Sequence, residues 1–151
     1  MFVYTVKWNR KTALVIILAA ALLLCAVIIA IGAGRKSGPT CKVKTNEERV
    51  EFLESLGWEV CEEPVSERNI VIPQEFSSIY TSYNELQLAQ GYDLSQYCGL
   101  EATVYTYTVE NYTGYTGNVV ADLYVLNFEV IGGDVHSLEL DGFMHGLTVG
   151  S

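Results

Sequence analysis

The chain has 151 residues and a formal net charge of −9, a length that accommodates one ordinary domain. All 18 acidic residues lie between Glu47 and Asp141, whereas only four basic residues follow residue 37, so this part carries a net charge of −14. Because such a surface repels phosphate backbones and anionic lipid, we expect no nucleic-acid partner. The charge favours solubility, and it would attract cations or a basic protein surface.

The N-terminal part contains a long uncharged segment, whereas the part after residue 37 is acidic. Residues 13–33, ALVIILAAALLLCAVIIAIGA, contain no charged side chain. A helix of this segment is about 31 Å long, which matches a hydrocarbon core of about 30 Å. We therefore predict a cytoplasmic leader at residues 1–12, an anchor that crosses the lipid bilayer at residues 13–33, a linker at residues 34–44 and an extracytoplasmic domain at residues 45–149. The alternatives are signal-peptide cleavage, which would secrete the domain, and lipidation at Cys25; the apolar run exceeds the usual signal length of about 7–15 residues.

The domain opens with a short helix. Thr45 and Glu48 have the spacing of a capping box, and an apolar stripe follows at Val50, Leu53 and Leu56. Gly57 is placed to end the helix in a left-handed conformation. Residues 59–73 then predict two extended stretches around a polar turn at residues 66–69, and the flanking prolines favour an edge strand or an irregular hairpin.

A second helix is predicted after Pro73. Ile79, Tyr83, Leu86 and Ala89 share one face at helical spacing, and Gly91 is a natural stop. Residues 92–99 predict a loop that leads into the sheet.

From Glu101 onward the apolar period changes to two, which indicates strands. We predict a strand over residues 101–113, a second over residues 119–131, a tight turn at Gly132, Gly133 and Asp134, a third strand, and a further turn at Asp141 and Gly142. Short connections favour an antiparallel meander. The expected fold class is α+β, with an N-terminal transmembrane helix and two helices that cover one face of a sheet of about three to five strands.

Four residues of metal-binding type lie close together near the C-terminus: Asp134, His136, Asp141 and His145. They suit zinc or another divalent cation. Asp134 and His136 share one face of an extended strand, but nothing in the pattern brings His145 to them. Turn chemistry explains the same glycines and aspartates, and Cys98 paired with a histidine lacks an orienting third group. We therefore expect no enzyme activity and no cofactor.

Cysteine and tyrosine usage leave alternatives open. Cys41, Cys61 and Cys98 are an odd number, so they form either one disulfide or three free thiols. Tyrosine occurs ten times in the chain, and most of these residues lie between Tyr80 and Tyr124. They predict either cross-strand aromatic pairs on a sheet with one wet face or an exposed platform for a peptide or glycan.

Four segments resemble the successive motifs of the DUF4830 family: NEERVEFLESLGWEV, YNELQLAQGYDLSQYCG, YTYTVENYTG and VIGGDVHSLELDGFMHGL. The resemblance covers residues 46–147. That family consists of small, membrane-anchored proteins of Firmicutes, so the resemblance implies a cell-surface location and an anchor. Its function is unknown, and it therefore implies no catalytic residue.

These observations favour a membrane-tethered binding or regulatory module that contacts a protein or peptide of the cell envelope. The alternative is a divalent-metal-binding protein or metal-dependent enzyme that uses Asp134, His136, Asp141 and His145. Assembly into a homo-oligomer through a strand edge is a third, purely structural expectation.

Overall fold

The computed structural model describes residues 41–148 as two helices on a five-stranded antiparallel sheet. In chain order the elements are helix α1 (Asn46–Ser55), strand β1 (Ser66–Val71), helix α2 (Ser78–Ala89), a 3-10 turn (Leu94–Tyr97), and strands β2 (Glu101–Thr108), β3 (Val119–Leu126), β4 (Glu129–Ser137) and β5 (Met144–Gly146). The strands lie side by side in the same order. The predicted α+β fold is thus confirmed for the described residues.

The predicted leader and anchor, residues 1–33, lie outside the described residues, as does most of the linker. Within residues 41–148, no helix has the length and apolar character needed to cross a membrane.

Helix α1 begins as its sequence predicts. The Thr45 side chain accepts a hydrogen bond from the backbone of Glu48, and the Glu48 carboxylate accepts one from the backbone of Thr45. Gly57 follows the helix with a φ of +96°, a conformation that glycine adopts without steric cost. Phe52 and Leu53 are buried against the sheet.

Each helix covers a different face of the sheet. Side chains alternate between the two faces along a strand. We call the face that carries Ala121 and Leu123 of β3 the front face. These residues pack in one apolar cluster with Leu53 of α1. The back face, defined by Asp122 and Tyr124, packs against Tyr83 of α2. The expectation that both helices cover one face is wrong, because β3 and β4 carry buried residues on both faces and therefore need two covers.

Only part of the predicted face of helix α2 meets the sheet, since Tyr83 packs against Tyr124 but Ile79 does not share its burial. Asn84 and Gln87 are its buried residues, whereas Ile79 is 80% exposed. The Gln87 carboxamide is buried because it accepts a hydrogen bond from the backbone N–H of Gly133 and donates one to its carbonyl, at 2.9 and 3.0 Å. Asn84 accepts a bond from the backbone N–H of Leu94. The hydrogen bonds of these side chains to backbone groups, and not the spacing of apolar residues, therefore determine which side of α2 is buried.

Two predicted turns are wrong. Residues 66–69 form most of β1, because they pair with β2, which takes up the backbone groups of Ser66 and Arg68. The segment Gly132-Gly133-Asp134 lies inside β4, and the chain reverses instead at Asn127 and Phe128, which have φ values of 51° and 68°. Two central residues with positive φ are typical of a tight hairpin. Asn tolerates this conformation but Phe rarely adopts it, so the turn left little signal in the sequence.

The glycines of β4 are required by close packing and not by turn geometry. A Cβ atom on Gly133 would lie 2.5 Å from the carbonyl oxygen of Asp122 and 2.6 Å from a methyl group of Leu147. At Gly132, a Cβ would meet Gln87 at 2.9 Å. Gly142 does follow a turn, between β4 and β5, and a Cβ there would overlap the hydroxyl of Ser137.

The outer edge of β4 is closed by three separate parts of the chain. The backbone of residues 41–43 bonds to Phe128 and Val130 at one end, and β5 pairs with residues 134–136 at the other. Between them, Gln87 and Gln90 bond the backbone of Gly133. The opposite edge of the sheet is β1, and no segment within residues 41–148 pairs with its outer side.

Close packing and turn geometry are the two explanations for Gly133, and they predict opposite rankings of alanine and asparagine by how much each destabilises the fold. If close packing requires it, Gly133→Ala should lower the free energy of unfolding by about 1–3 kcal/mol and the larger Gly133→Asn by more. At Gly114, which has a φ of +84° and open space around it, Asn should cost less than Ala, because Asn tolerates positive φ. Urea unfolding of the four variants measures both orders. The same order at both positions would contradict the packing explanation.

Candidate functional site

Two aspartates face each other across the middle of the sheet. Asp122 of β3 and Asp134 of β4 are directly opposite partners in the strand register, and both side chains point to the back face. They are only 6% and 1% exposed. Like charges placed opposite one another and out of water are destabilising. Neighbouring hydrogen-bond donors or positive charges must therefore offset the free-energy cost of burying the two carboxylates.

Asp134 is compensated by two donors. The Tyr83 hydroxyl donates to its Oδ2 at 2.5 Å, and Nδ1 of His136 lies 2.8 Å from its Oδ1. His136 reaches Asp134 because residues two apart on a strand share a face. Burial and the Asp134 charge hold the pKa of Tyr83 well above its usual value, so its hydroxyl stays protonated and remains a donor.

Asp122 is compensated from the other side. The Thr106 hydroxyl of β2 donates to its Oδ1 at 2.5 Å, and the Arg68 guanidinium of β1 lies 3.6 Å from its Oδ2. The Arg68 side chain is 59% exposed, so this ion pair is screened by solvent. Burial raises the pKa of Asp122, and the neighbouring Asp134 charge adds to that rise, against the opposing effect of the Thr106 hydrogen bond.

His136 connects the aspartate pair to solvent. Its side chain is 22% exposed, and one ring nitrogen is held by Asp134. The hydrogen bond to Asp134 raises the pKa of His136 above its usual value, against the opposing effect of burial. Histidine in such a setting exchanges a proton near neutral pH. The arrangement therefore suits proton binding at His136 or coordination of a cation.

One ligand atom from each of Asp122, Asp134 and His136 lies within 4.8 Å of the others. Two carboxylates and one imidazole form a donor set that suits zinc or manganese. A cation in this position would replace the proton between His136 and Asp134 and would compete with Arg68 for Asp122, so its binding would depend on pH.

The structure brings together only two of the four predicted ligands. Asp134 and His136 meet, but His145 is the strand partner of Val135 and therefore lies on the front face. Asp141 is exposed in the turn between β4 and β5. The third member of the cluster, Asp122, was missed, although an acidic residue within the apolar run VVADLYV is a signal that sequence reasoning could use.

His145 belongs to an aromatic stack on the front face. Its ring lies 5.6 Å from that of Phe143 and 5.7 Å from that of Tyr112, and its Nε2 is 3.1 Å from the Tyr112 hydroxyl. The Trp58 ring lies 5.8 Å from that of Tyr112 and 5.9 Å from that of His145. This packing places His145 within the hydrophobic assembly of the front face.

The tyrosines are distributed over both faces and include deeply buried residues. Tyr107 is fully buried, and its hydroxyl accepts a hydrogen bond from Arg49 and donates one to Asn46. Tyr124 is packed on the back face beside Tyr83, where burial raises its pKa to about 12. Neither tyrosine lies on a wet face of the sheet.

The three cysteines in the described part of the chain, Cys41, Cys61 and Cys98, are free thiols. Cys61 donates to a Glu110 carboxylate oxygen at 3.3 Å. That hydrogen bond and the carboxylate charge beside it raise the pKa of the Cys61 thiol, which lowers its reactivity.

The family model for DUF4830, a domain of unknown function, matches residues 52–135. The match covers more than half of the chain, and the chain belongs to this family. It includes Asp122 and Asp134 and ends one residue before His136. No curated protein and no solved structure matches the chain.

The raised pKa of His136 has a consequence for stability. Because His136 binds its proton more tightly in the folded chain than in the unfolded one, its contribution is fully present below the unfolded-state pKa of about 6.5. It is lost as the pH rises through the higher folded-state value. The loss of unfolding free energy in His136→Gln should therefore be larger at about pH 5.5 than at about pH 8.5.

Asp134→Asn provides the control for this measurement, since it removes the charge that His136 faces. In that background the pH dependence of the His136→Gln effect should shrink. An equal effect of His136→Gln at both pH values in the native background would contradict the coupling.

Proposed function

We propose that this DUF4830 protein is a membrane-tethered extracytoplasmic module that works by binding a protein or peptide of the cell envelope. The uncharged residues 13–33 support the tether, since their length and composition suit a membrane span. The net charge of −14 after residue 37 favours contact with a basic surface.

The contrast between the two sheet edges is the observation on which this proposal rests. The β4 edge is closed by residues 41–43, by two glutamine side chains and by β5. At β1, by contrast, no part of residues 41–148 takes the outer backbone groups. Proteins normally shield an open edge because it recruits other strands. The β1 edge is six residues long and lies opposite the covered edge of the same sheet. This contrast favours docking of another chain by strand addition.

Photocrosslinking tests the proposal in cells. A photoreactive amino acid placed at Asn69 of the full-length chain should give a discrete adduct, because Asn69 lies in the middle of the exposed β1 edge. The same amino acid at Glu85, which is exposed on α2, is the matched control and should give none. Adduct size on denaturing gels and mass spectrometry measure the result.

The membrane arrangement is tested in the same cells. Protease added outside intact cells should destroy the adduct, because the domain is proposed to face outward. No adduct at position 69, or an adduct fully protected from the external protease, would count against the tethered module. An adduct of twice the chain mass would identify a homo-oligomer instead of a second protein.

Divalent-metal binding is a second candidate function, and the proximity of Asp122, Asp134 and His136 favours it. The cluster joins two buried carboxylates to a half-buried imidazole, and metal would offset the repulsion between the carboxylates. This candidate replaces the four-residue set predicted from the sequence by a set in which Asp122 takes the place of Asp141 and His145.

Calorimetric titration of the full-length chain with zinc and manganese tests the metal site. Asp122→Asn should weaken binding by at least about tenfold, since it removes one ligand. The same change should cost little stability, because burial disfavours the charge of Asp122. Asp141→Asn and His145→Gln are the matched controls and should leave affinity unchanged. No heat with either metal, or equal weakening by His145→Gln, would remove this candidate.

A further inference from the structure

The strand register determines which backbone groups of β1 face outward. The N–H of Ile72 bonds to the carbonyl of Leu100, and alternate residues of an antiparallel strand bond to the same neighbour. Ser66, Arg68 and Ile70 therefore face β2. The backbone groups of Glu67, Asn69 and Val71 then point away from the sheet, which leaves three donors and three acceptors in a row.

These outward-facing residues are also exposed as side chains. Glu67, Asn69 and Val71 are all exposed, and alternation places their side chains on one face of the strand. Val71 is the strand partner of Glu101, which is exposed as well. Glu67 and Val71 are four positions apart, or about 13 Å along the strand. The edge therefore has one carboxylate near each end.

The charge around this edge is mostly negative, although the Arg49 guanidinium lies 3.8 Å from the ring centre of Tyr105, the strand partner of Glu67. Residues 59–75 contain five acidic residues and one basic residue, Arg68. The register places the Arg68 side chain on the back face, where its guanidinium pairs with Asp122. The side of β1 that carries Glu67 consequently has no basic residue of its own strand. A second copy of this acidic domain would bring carboxylates against carboxylates, whereas a basic segment would be attracted.

We propose that the β1 edge binds a basic, extended peptide segment of a partner protein as a sixth, antiparallel strand. This inference rests on the proposed binding function and names its site and the chemistry of the partner. Main-chain hydrogen bonds to Glu67, Asn69 and Val71 hold the segment. Two lysine or arginine side chains four residues apart contact Glu67 and Glu101, and this spacing provides the selectivity.

A matched pair of peptides tests the proposal with the full-length chain purified in detergent. The probe is the octapeptide Thr-Lys-Thr-Val-Thr-Lys-Thr-Val, and the control has glutamate in place of both lysines. The lysine peptide should bind at least about tenfold more tightly, with an affinity that falls as salt screens the charges. Hydrogen exchange followed by NMR should show new protection at the amides of Glu67, Asn69 and Val71.

Two pairs of variants separate the backbone contribution from the charge. Asn69→Pro removes an outward N–H without removing a bond to β2, and edge strands tolerate such a proline. Asn69→Thr keeps the N–H, and both variants lose the bond from the Thr103 hydroxyl to Asn69. The proline variant should bind the lysine peptide at least about tenfold more weakly than the threonine variant, since it loses a main-chain hydrogen bond. Glu67→Lys should weaken binding, whereas Glu85→Lys on α2 makes the same charge change and should not.

Three outcomes would overturn the inference: equal binding of the two peptides, equal affinity of Asn69→Pro and Asn69→Thr, or concentration-dependent protection of the β1 amides without peptide, which would identify a second copy as the occupant. If Asn69→Pro does not fold, the Glu67→Lys and Glu85→Lys pair decides. A persistent crosslink at position 69 with failure of the lysine peptide would reject the partner chemistry and keep the binding function.

Discussion

The aspartate pair in the middle of the sheet requires most of the fold to be in place at once. Asp122 and Asp134 are direct strand partners with almost no access to water. Each carboxylate is stable there only because donors from other elements reach it: Arg68 from β1, Thr106 from β2 and Tyr83 from α2. Removing the hydrogen-bond donor of a buried polar group commonly costs about 1–3 kcal/mol, whereas the exposed Arg68 contributes less because solvent screens it. The cluster thus joins four strands and a helix.

This cluster also explains why α2 presents polar residues to the sheet. Tyr83 reaches Asp134, and one turn further along the helix Gln87 bonds both backbone groups of Gly133. An apolar residue at either position would leave buried polar groups without hydrogen-bond partners. The free-energy cost of those unsatisfied groups exceeds the stabilisation that an added apolar contact would give. The helix therefore serves as an extension of the sheet edge where β5 is too short to pair. The exposed Ile79 follows from that orientation.

The closed β4 edge and the open β1 edge follow from the same arrangement. The outer edge of β4 is paired by β5, by the side chains of Gln87 and Gln90, and by the segment that enters the domain at residues 41–43. The chain leaves β1 through Pro73 and crosses to α2 at the far side, so its outer side stays uncovered by residues 41–148. Self-association at such an edge would bring acidic surfaces together, which is unfavourable, and this supports the proposed binding of a basic segment. The buried cluster and the open edge are linked through Arg68, which lies on β1 and pairs with Asp122.

The amino-acid sequence by itself determined the local features, because neighbouring residues provide their interactions. The capping box at Thr45, the stop at Gly57, the alternation from Glu101 onward and the α+β class could all be inferred from short windows. The sequence also placed Asp134 and His136 on one face of a strand. It could not place Asp122 opposite Asp134, because that pairing depends on the strand register, which the turn at Asn127 and Phe128 sets together with the register shift between Tyr124 and Val125. Nor could it assign Gly132 and Gly133 to a strand, since their reason for being glycine is the approach of Gln87 and Leu147, which are distant along the chain. Tertiary structure decided these points because the partners that satisfy a buried backbone group or a buried charge come from elements that meet only in the folded domain.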